Sequence, residues 1–379
     1  MNVTIEARAL SAVSGGVRTY TYELIKNLLA LHPDEHFELI YGSEKPIGTF
    51  ASAQEIVVPL YSEALLPFWM RSIGKHVASR RPNIVHYTKA AIPRQKTSPT
   101  VVTIYDIIPI LMPETQSPLR RLYWPHALRH AAKTADHIMT ISEGSKRDIM
   151  EHFGVAEDKI TVTPLAVDLE HFRPKPPTSA HNGATAGKYI LFVGTRDARK
   201  NIASLIRAFA QIADKIPHNL VIAGRPAKKQ DDSKIIAADL HLGNRIEFRE
   251  DVSYAELPKL YSHADIFVWP SKYEGWGFPP QEAMACGTPV IVSDGTPLPE
   301  VVGDAGVIVP LDPRVKPAGR AGRPENDNFT EHLAHEMLTL IQDEPRKADL
   351  ITRGLARVQQ FSWTDVARKT YDVYKKVAI

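Results

Sequence analysis

The stretch from residue 265 to residue 293 constrains the fold of this chain more than any other part of the sequence. Short apolar runs at its two ends, 265–269 and 288–293, are typical of buried β-strands. The residues between them divide into a Gly-rich loop and a short segment with helical character. A strand, a loop, a helix and a second strand in this order indicate a βαβ unit, and therefore a parallel sheet.

Two glutamates lie on the connection between these predicted strands. Glu274 belongs to the loop, and Glu282 belongs to a helix that we predict to open at Pro279 and to stop at Gly287. We place Glu282 in the first turn of that helix, where the helix dipole favours a carboxylate. Ligands of open α/β sheets bind beyond the carboxyl ends of the strands, and carboxylates there can accept hydrogen bonds from vicinal hydroxyls of a sugar or a ribose.

Structural roles would also explain both glutamates, Glu274 as a solvated loop residue and Glu282 as a residue that favours the helix start. The loop glycines, Gly275 and Gly277, argue for binding, because glycine lets backbone N–H groups approach a ligand closely. Together with the two prolines and the strand context, they favour a ligand site.

The sequence from Glu274 to Ile291 reads Glu-Gly-Trp-Gly-Phe-Pro-Pro-Gln-Glu-Ala-Met-Ala-Cys-Gly-Thr-Pro-Val-Ile. It resembles the signature of retaining glycosyltransferases of family 4, in which seven residues separate two glutamates, and the resemblance extends over nearly the whole chain. The resemblance implies an α/β protein with the GT-B fold, in which two Rossmann-like domains have parallel sheets that face each other across a cleft.

The length of 379 residues exceeds that of one typical hydrophobic core, so we expect two domains. The single cysteine excludes a disulfide framework and a Cys-based metal site, and it fits a reducing cytosol. No segment approaches the ~18 to 20 apolar residues of a membrane-spanning helix, and no signal-peptide pattern follows Met1. We expect a cytoplasmic protein that is at most peripheral at the inner face of the membrane.

The net charge of +3 is unevenly distributed along the chain. Residues 64–147 contain 13 Lys and Arg residues against 4 Asp and Glu residues, a local charge of +9. Such an excess can attract anionic lipid head groups or a phosphate-bearing acceptor. A solvated surface explains it equally well, so a peripheral membrane contact is one of two interpretations.

We predict an N-terminal Rossmann-like acceptor domain at residues 1–173 and a C-terminal Rossmann-like nucleotide-sugar donor domain at residues 174–361. The stretch 174–187 is rich in Pro, Ala, Thr and Gly, which is typical of an interdomain linker. Residues 314–328 form a polar insertion that is longer than usual for the family. The tail at 362–379 resembles the family's terminal helix, which crosses back onto the first domain.

Two strand-to-helix turns are candidates for binding phosphate. Gly15 and Gly16 follow the first predicted strand, where backbone N–H groups at a helix N-terminus can bind an anion. Arg196, Arg199 and Lys200 follow the first strand of the second domain, where cations could flank a diphosphate, although a solvated basic turn would look the same. The segment resembles the family's Gly-Thr-x-x-Pro-Arg-Lys-Asn, which matches Arg199 and Lys200 and leaves Arg196 outside the pattern.

Polar residues also follow two strands of the first domain. His86 is most simply a core histidine whose hydrogen bonds are satisfied. Residues 103–106, Thr-Ile-Tyr-Asp, resemble a family segment that often reads Thr-Ile-His-Asp. Asp106 matches that segment and is a candidate for binding the acceptor or the donor sugar, whereas Tyr105 replaces the histidine.

The resemblance also implies roles in the reaction. Arg199 and Lys200, the latter expected at an open cleft, would hold the diphosphate of a nucleotide sugar, and Glu274 the hydroxyls of the transferred sugar; these three are the candidate catalytic residues. Glu282 would hold the ribose, and the anomeric configuration would be retained. The candidate substrate-binding residues are Gly15, Gly16, Asp106, Gly275, Gly277, Phe278, Pro279 and Glu282.

The sequence lacks an Asp-x-Asp pair between strands and a His/Cys cluster, so we expect no metal and no cofactor. Resemblance to bacterial mannosyltransferases of surface polysaccharide assembly, including that of lipopolysaccharide, makes GDP-mannose the expected donor and a glycan or lipid-linked glycan the acceptor. No nucleic-acid partner is expected. A UDP- or dTDP-sugar donor, or a sugar-nucleotide epimerase on the same fold, remains an alternative. A retaining glycosidase would need no phosphate-binding cations, and a binding module would tolerate their loss.

Overall fold

The computed structural model describes residues 1–12, 15–62, 65–176, 188–227, 231–311 and 327–378. Its contacts divide the chain into two compact units. The first unit comprises Met1–Ile110, Gln116–Leu165 and Ser362–Ile379, and the second comprises Leu111–Thr115 and Ala166–Phe361.

The first unit contains a seven-stranded parallel sheet. Its strands are β1 (Asn2–Glu6), β2 (His36–Tyr41), β3 (Gln54–Val57), β4 (Ile84–Tyr87), β5 (Thr100–Thr103), β6 (His137–Thr140) and β7 (Ile160–Val162). The helices that begin in this part of the chain are α1 (Gly16–Leu31), α2 (Leu66–Arg80), α3 (Ile108–Leu111), α4 (Pro118–Thr134) and α5 (Glu143–Phe153). The strand order is β3-β2-β1-β4-β5-β6-β7, so the chain reverses its direction of winding between β1 and β4.

The second unit contains a six-stranded parallel sheet in the order β10-β9-β8-β11-β12-β13. Its strands are β8 (Tyr189–Val193), β9 (Asn219–Ala223), β10 (Ile246–Arg249), β11 (Ile266–Trp269), β12 (Val290–Ser293) and β13 (Gly306–Val309). Its helices are α6 (Ile202–Ala210), α7 (Ser233–Asp239), α8 (Leu257–Ser262), α9 (Phe278–Ala285), α10 (Leu298–Val302), α11 (Asp327–Gln342) and α12 (Glu344–Val358). Here the winding reverses between β8 and β11, which makes them the switch point of this sheet.

The two central strands of the second sheet, β8 and β11, consist of apolar and aromatic residues on both faces, as is typical of parallel strands between two layers of helices. Every residue of β11 and β12 is buried, which confirms the two strands predicted at the ends of the 265–293 stretch. Helix α9 lies between them, and Gly287, just beyond its end, adopts a left-handed φ of 76° that stops the helix.

The boundary between the units lies after Leu165 rather than after residue 173. The reason is aromatic packing, because Phe172 lies edge-on to Tyr254 and to Tyr261 of the second unit. Residues 174–176 also belong to that unit, and the Lys175 N–H donates to Ser262 Oγ at 3.0 Å. The rest of the predicted linker, 177–187, lies outside the described residues.

Most of the predicted insertion, 314–326, also lies outside the described residues. Its last two residues, 327 and 328, are not loop, because α11 begins at Asp327.

The terminal helix α13 (Trp363–Val377) belongs to the first unit and packs against α1. The hydroxyl of Tyr374 lies 2.6 Å from His86 Nδ1, and Thr103 Oγ1 lies 2.8 Å from His86 Nε2. Burial lowers the pKa of His86 to about 3, so the ring is neutral. His86 is therefore the satisfied core histidine that the sequence suggested.

Candidate active site

The carboxyl edge of the second sheet brings together Arg199, Lys200 and Glu274. The first two follow β8, and Glu274 follows β11. These strands are hydrogen-bonded neighbours at the switch point, although Lys200 and Glu274 are 74 positions apart in the sequence. The topology thus joins two segments whose side chains the sequence could only suggest separately.

The carboxylate of Glu274 is held by three side-chain donors. Lys200 Nζ donates to Oε1 at 2.6 Å, Ser271 Oγ donates to the same oxygen at 2.6 Å, and Arg199 Nη1 pairs with Oε2. Arg199 Nη1 also donates to the carbonyl of Tyr273 at 2.9 Å. Since an ionised carboxylate offers about four acceptor sites, Glu274 keeps room for roughly one more hydrogen bond.

The charges of this cluster are buried, which differs from the expected open position of Lys200. Lys200 and Glu274 are each only 8% exposed. Burial raises the pKa of Glu274, but Arg199 and Lys200 outweigh it, so the net pKa lies below the ordinary value. Burial lowers the pKa of Lys200 to about 8, against the opposing effect of Glu274. The cluster is a desolvated set of ion pairs whose members depend on one another.

The ammonium group of Lys200 lies over an indole ring. Its Nζ is 4.2 Å from the ring centroid of Trp269, the fully buried last residue of β11. Trp269 in turn stacks on Phe192 of β8 at 4.9 Å. A Cβ at Gly194 would lie 2.7 Å from the Trp269 ring, so only glycine fits where β8 ends. The ring position therefore depends on both neighbouring strands.

Arg196 does not join this cluster, which corrects the expectation that three cations flank one ligand. Its guanidinium donates to Asp231 at 2.6 Å, to Glu250 at 3.0 Å and to the carbonyl of Gly224 at 2.8 Å. The side chain is almost completely buried by these partners. Arg196 is a structural residue beside β9 and β10, in keeping with its place outside the family pattern.

Glu282 is the fifth residue of α9, so it lies in the second turn and not in the first. The helix-dipole argument for this residue is therefore wrong. Its carboxylate accepts a hydrogen bond from the hydroxyl of Tyr261 at 2.7 Å. Burial raises the pKa of Glu282 to about 7, although the bond from Tyr261 acts in the opposite direction. Glu282 can thus change its charge near neutral pH.

The remaining predicted residues of this stretch form the approach to α9. Gly277 precedes the helix, and Phe278 and Pro279 are its first two residues. The φ of Gly277 is −171°, which any residue adopts, but a Cβ there would lie 3.0 Å from Leu298 Cδ2. Glycine at this position therefore serves packing against α10. Gly275 lies in the buried part of the same loop.

The first unit has its own predicted residues at the carboxyl edge of its sheet. Gly15 precedes α1 and Gly16 is the first helical residue. Asp106 Oδ1 accepts the N–H of Ile108 at 3.0 Å, where α3 begins. The hydroxyl of Tyr105 donates to the carbonyl of Thr88 at 2.6 Å. Tyr105 thus links the segment after β5 to the segment after β4.

Three residues that shape the site were missed in the sequence analysis: Ser271, Trp269 and Tyr261. Ser271 is the neighbour of the predicted loop, and only its buried contact with Glu274 reveals its role. Trp269 and Tyr261 look like ordinary core residues in the sequence. Their roles come from the polar group that each one meets in three dimensions.

Within residues 1–12, 15–62, 65–176, 188–227, 231–311 and 327–378, no group of three or more His, Cys, Asp or Glu side chains is placed to hold a metal ion. None of the helices in that part of the chain is both long enough and apolar enough to cross a membrane.

Two family models match the chain. One is described as Glycosyltransferase Family 4 and matches residues 14–171, and the other is described as Glycosyl transferases group 1 and matches residues 178–356. The chain is 29% identical to the O-antigen chain mannosyltransferase B of Escherichia coli over 95% of its own length and 96% of the relative. It is 33% identical to the O-antigen chain mannosyltransferase RfbU of Salmonella typhimurium over 56% of each protein.

The fold is also similar to that of solved structures. Sucrose-phosphate synthase from Thermosynechococcus elongatus superimposes with a TM-score of 0.75 at 20% identity, over 99% of this chain and 98% of that one. WaaG, a glycosyltransferase involved in lipopolysaccharide biosynthesis, superimposes with a TM-score of 0.70 at 15% identity, over 99% of both chains. At these identities the likeness shows the fold alone, and it confirms the predicted GT-B fold class.

Proposed function

The chain belongs to the glycosyltransferases, with a family 4 domain followed by a group 1 domain, and from this premise we propose that it transfers mannose from GDP-mannose to a glycan or a lipid-linked glycan. The names of its relatives support mannose, since both O-antigen proteins are mannosyltransferases. The observation that carries the proposal is the Arg199–Lys200–Glu274 cluster at the switch point of the second sheet.

In the proposed reaction, Arg199 and Lys200 hold the diphosphate of the donor. As the bond to the sugar breaks, negative charge develops on the leaving phosphate, and fixed cations in a water-poor site stabilise it. Glu274 pairs with both cations. The donor diphosphate takes over part of that pairing, and the carboxylate then accepts hydroxyls of the transferred sugar.

Glu282 holds the ribose of the nucleotide in this proposal. It lies on α9, eight positions after Glu274 in the sequence, and the hydroxyl of Tyr261 donates to one of its carboxylate oxygens. Attack occurs on the face from which the nucleotide leaves, a donor phosphate oxygen accepts the acceptor's proton, and the anomeric configuration is retained. Arg199 and Lys200 supply the positive charge that a divalent ion would otherwise provide, so transfer proceeds without a metal.

We place the reaction in the cytoplasm, at an anionic membrane surface where a lipid-linked acceptor would be found. The support is the local charge of +9 in residues 64–147.

The experiment that tests the function uses purified full-length protein with GDP-mannose, a UDP-sugar or a dTDP-sugar, each with and without a glycan acceptor. We expect acceptor-dependent release of GDP from GDP-mannose, and a product whose anomeric configuration, read by NMR, matches the donor. Interconversion of the sugar nucleotide without release of nucleotide would instead identify an epimerase. Glu274→Gln is the loss-of-function control, and Glu331→Gln on α11 is a matched exposed substitution.

A further inference from the structure

The first unit buries an arginine at the carboxyl edge of its sheet. Arg8 is the second residue after β1, at the start of a short 3₁₀ helix, Arg8–Ser11, and it is only 5% exposed. The strands β1 and β4 form the switch point of this sheet, and α/β sheets bind ligands at the carboxyl ends of such strands. A buried cation at this position either supports the fold or binds a ligand, and its hydrogen bonds distinguish the two roles.

Glu6, the last residue of β1, holds one end of the Arg8 guanidinium. Its Oε2 accepts a hydrogen bond from Arg8 Nη1 at 2.7 Å, and its Oε1 accepts the backbone N–H of Arg8 at 2.8 Å. Glu6 is fully buried, and its backbone carbonyl accepts from Thr88 Oγ1 at 2.7 Å. The Arg8–Glu6 pair is therefore formally neutral, and the strand fixes its position.

An indole ring lies against the same guanidinium. Arg8 Cζ is 5.3 Å from the ring centroid of Trp69 on α2, which is a favourable distance for a cation beside an aromatic ring. The ring is itself held in place, because Trp69 Nε1 donates to the carbonyl of Val58 at 2.6 Å. Glu6 and Trp69 together give the guanidinium a fixed orientation.

The remaining edge of the guanidinium has no hydrogen-bond partner in the part of the chain that the structure describes. Arg8 Nε and Nη2 are both buried, and neither donates a hydrogen bond there. Their N–H groups point in the same direction and form the edge that binds two oxygens of one carboxylate or phosphate. Arg196 provides the contrast, since its Nε, Nη1 and Nη2 each donate to a protein acceptor. Because unpaired buried donors are unfavourable, the free edge of Arg8 is suited to an anion from outside the chain.

Two serine hydroxyls at the same edge are also buried without a hydrogen-bond partner within the described ranges, those of Ser11 and Ser43. Ser11 is three residues after Arg8 in the 3₁₀ helix, and side chains at this spacing lie on the same side of such a helix. Ser43 follows Gly42, where a Cβ would lie 3.5 Å from Arg8 Cβ. Both serines are half-buried as residues, so this Arg8 group (Arg8, Ser11 and Ser43) lies just beneath the surface.

We infer that the Arg8 group is a binding subsite for an anionic group of the acceptor, in which Arg8 Nε and Nη2 bind two oxygens of that group and the two serine hydroxyls donate to the same oxygens. Glu6 already balances the charge of Arg8, so a group with a single negative charge fits best. A carboxylate of an acidic sugar and a phosphodiester both have this charge and two acceptor oxygens. The inference rests on the proposed function and deepens it by naming the charge of the acceptor.

The test measures binding of three matched probes to the purified full-length protein by ligand-observed NMR titration, without a donor. The probes are methyl α-mannopyranoside, which is neutral, and two derivatives with one negative charge each, the corresponding mannosiduronate and the 6-(methyl phosphate) diester. We expect an anionic probe to bind about tenfold to a hundredfold more tightly than the neutral one, which is the effect of a charge-assisted hydrogen bond. The derivative that binds more tightly identifies the group as a carboxylate or a phosphodiester.

Two variants assign this preference to the Arg8 group. Arg8→Lys keeps a charge opposite Glu6 but lacks the edge with two donors, and Ser11→Ala/Ser43→Ala removes the hydroxyls while the Arg8–Glu6 pair remains. The preference for the anionic probe should fall roughly fivefold or more in Arg8→Lys and roughly threefold in Ser11→Ala/Ser43→Ala. Affinity for the neutral probe should not change, and this distinguishes a binding role from a structural one.

The matched control is Ser72→Ala/Ser79→Ala, which replaces two exposed serines of α2 and should bind all three probes as the wild type does. Circular dichroism melting should show that every variant is folded. The inference is overturned if the wild type binds the anionic probes no more tightly than the neutral one. It is also overturned if the preference survives in both Arg8→Lys and Ser11→Ala/Ser43→Ala, because the anion then binds to other cations of the chain.

Release of GDP from GDP-mannose separates this inference from the proposed function. If the wild type prefers the anionic probes but releases no GDP with any acceptor, the proposed function is wrong and the anion subsite stands. If GDP is released with an acceptor but the probes bind equally, the function stands and the subsite is wrong.

Discussion

At the scale of single residues, both cations of the site are paired with carboxylates of the protein itself. Glu274 accepts from Lys200, Arg199 and Ser271, and Asp197 Oδ2 lies 3.7 Å from Arg199 Nη2. Buried charges are tolerated only in such mutual arrangements. A diphosphate must therefore compete with Glu274 for the two cations, and this competition determines how each substitution should behave.

Lys200→Ala should lower both turnover and stability. Turnover should fall at least ~100-fold, the scale for removing one preorganised charge-stabilising donor. The free energy of unfolding should fall by about 1–3 kcal/mol, because Glu274 loses a buried partner but keeps Arg199. Steady-state kinetics and urea unfolding measure the two effects. A folded variant with the wild-type rate would remove Lys200 from the mechanism.

The pKa of Lys200 predicts an alkaline limit to activity. Burial lowers this pKa to about 8, so the ammonium is charged below that pH and neutral above it. kcat/KM reports groups of the free enzyme, and we expect it to fall as pH rises through about 8. Lys200→Arg keeps its charge at all these pH values and should lose this limb of the profile, even at a lower rate. An unchanged alkaline limb in Lys200→Arg would assign it to another group.

The two glutamates should respond differently to the loss of charge. Glu274→Gln frees Arg199 and Lys200 from their anion, so affinity for GDP should be maintained or raised while turnover of GDP-mannose falls. Glu282→Gln should weaken GDP and GDP-mannose about equally, by tenfold to a hundredfold, since both contain the ribose. Calorimetry can resolve the two patterns. If both variants weaken GDP equally, Glu274 does not bind the transferred sugar.

The affinity for GDP, measured by calorimetry, should also depend on pH through Glu282. Its pKa of about 7 is raised by burial, so the carboxylate predominates above pH 7 and the neutral acid below it. Because the charged form is the stronger acceptor, GDP affinity should decline as pH falls through 7 in the wild type. Glu282→Gln should lack that part of the decline.

At the scale of elements, local patterns and long-range contacts differ in how well the sequence reveals them. The strands β11 and β12 and the stop at Gly287 follow from apolar runs and glycine chemistry, which are local. The sequence predicts that α9 begins at Pro279, whereas the helix begins one residue earlier, at Phe278. For this reason Glu282 lies in the second turn and not in the first. The position of the Arg196 side chain depends on its hydrogen bonds to Asp231 and Glu250, and no local sequence pattern indicates these partners.

The end of β8 offers a test of how the strands support the site. Gly194→Ala would place a Cβ 2.7 Å from the buried ring of Trp269, which cannot move without displacing Lys200. We expect a loss of about 1–3 kcal/mol in unfolding free energy and a reduced turnover. Gly277→Ala is the comparison variant for stability, because its Cβ would meet the aliphatic side chains of Leu298 at 3.0 Å and Val301 at 3.5 Å instead of a buried aromatic ring. Equal losses in both variants would argue against a special role for the Trp269 support.

At the scale of the whole molecule, the two units repeat one strand order, with the switch points at β1/β4 and β8/β11. Alternating strands and helices in the sequence predicted this architecture, because the order of elements leaves few right-handed parallel solutions. The pairing of side chains at each switch point could not be predicted in the same way. It depends on the strand register and on which residues become buried together.

The complete protein should bind and use its donor without a divalent ion. Arg199 and Lys200 provide two positive charges at the proposed diphosphate site, the charge that Mg²⁺ or Mn²⁺ would bring. GDP-mannose at about 100 times its dissociation constant should stabilise the native protein by about 2.7 kcal/mol, and excess chelator should leave that stabilisation unchanged. Transfer to the acceptor should likewise continue in chelator, as thermal melting and GDP release can measure in the same samples. If activity disappears in chelator and returns only with added Mn²⁺ or Mg²⁺, the metal-free mechanism is wrong. If no donor shifts the melting temperature and no donor supports transfer, the assignment of the site is wrong.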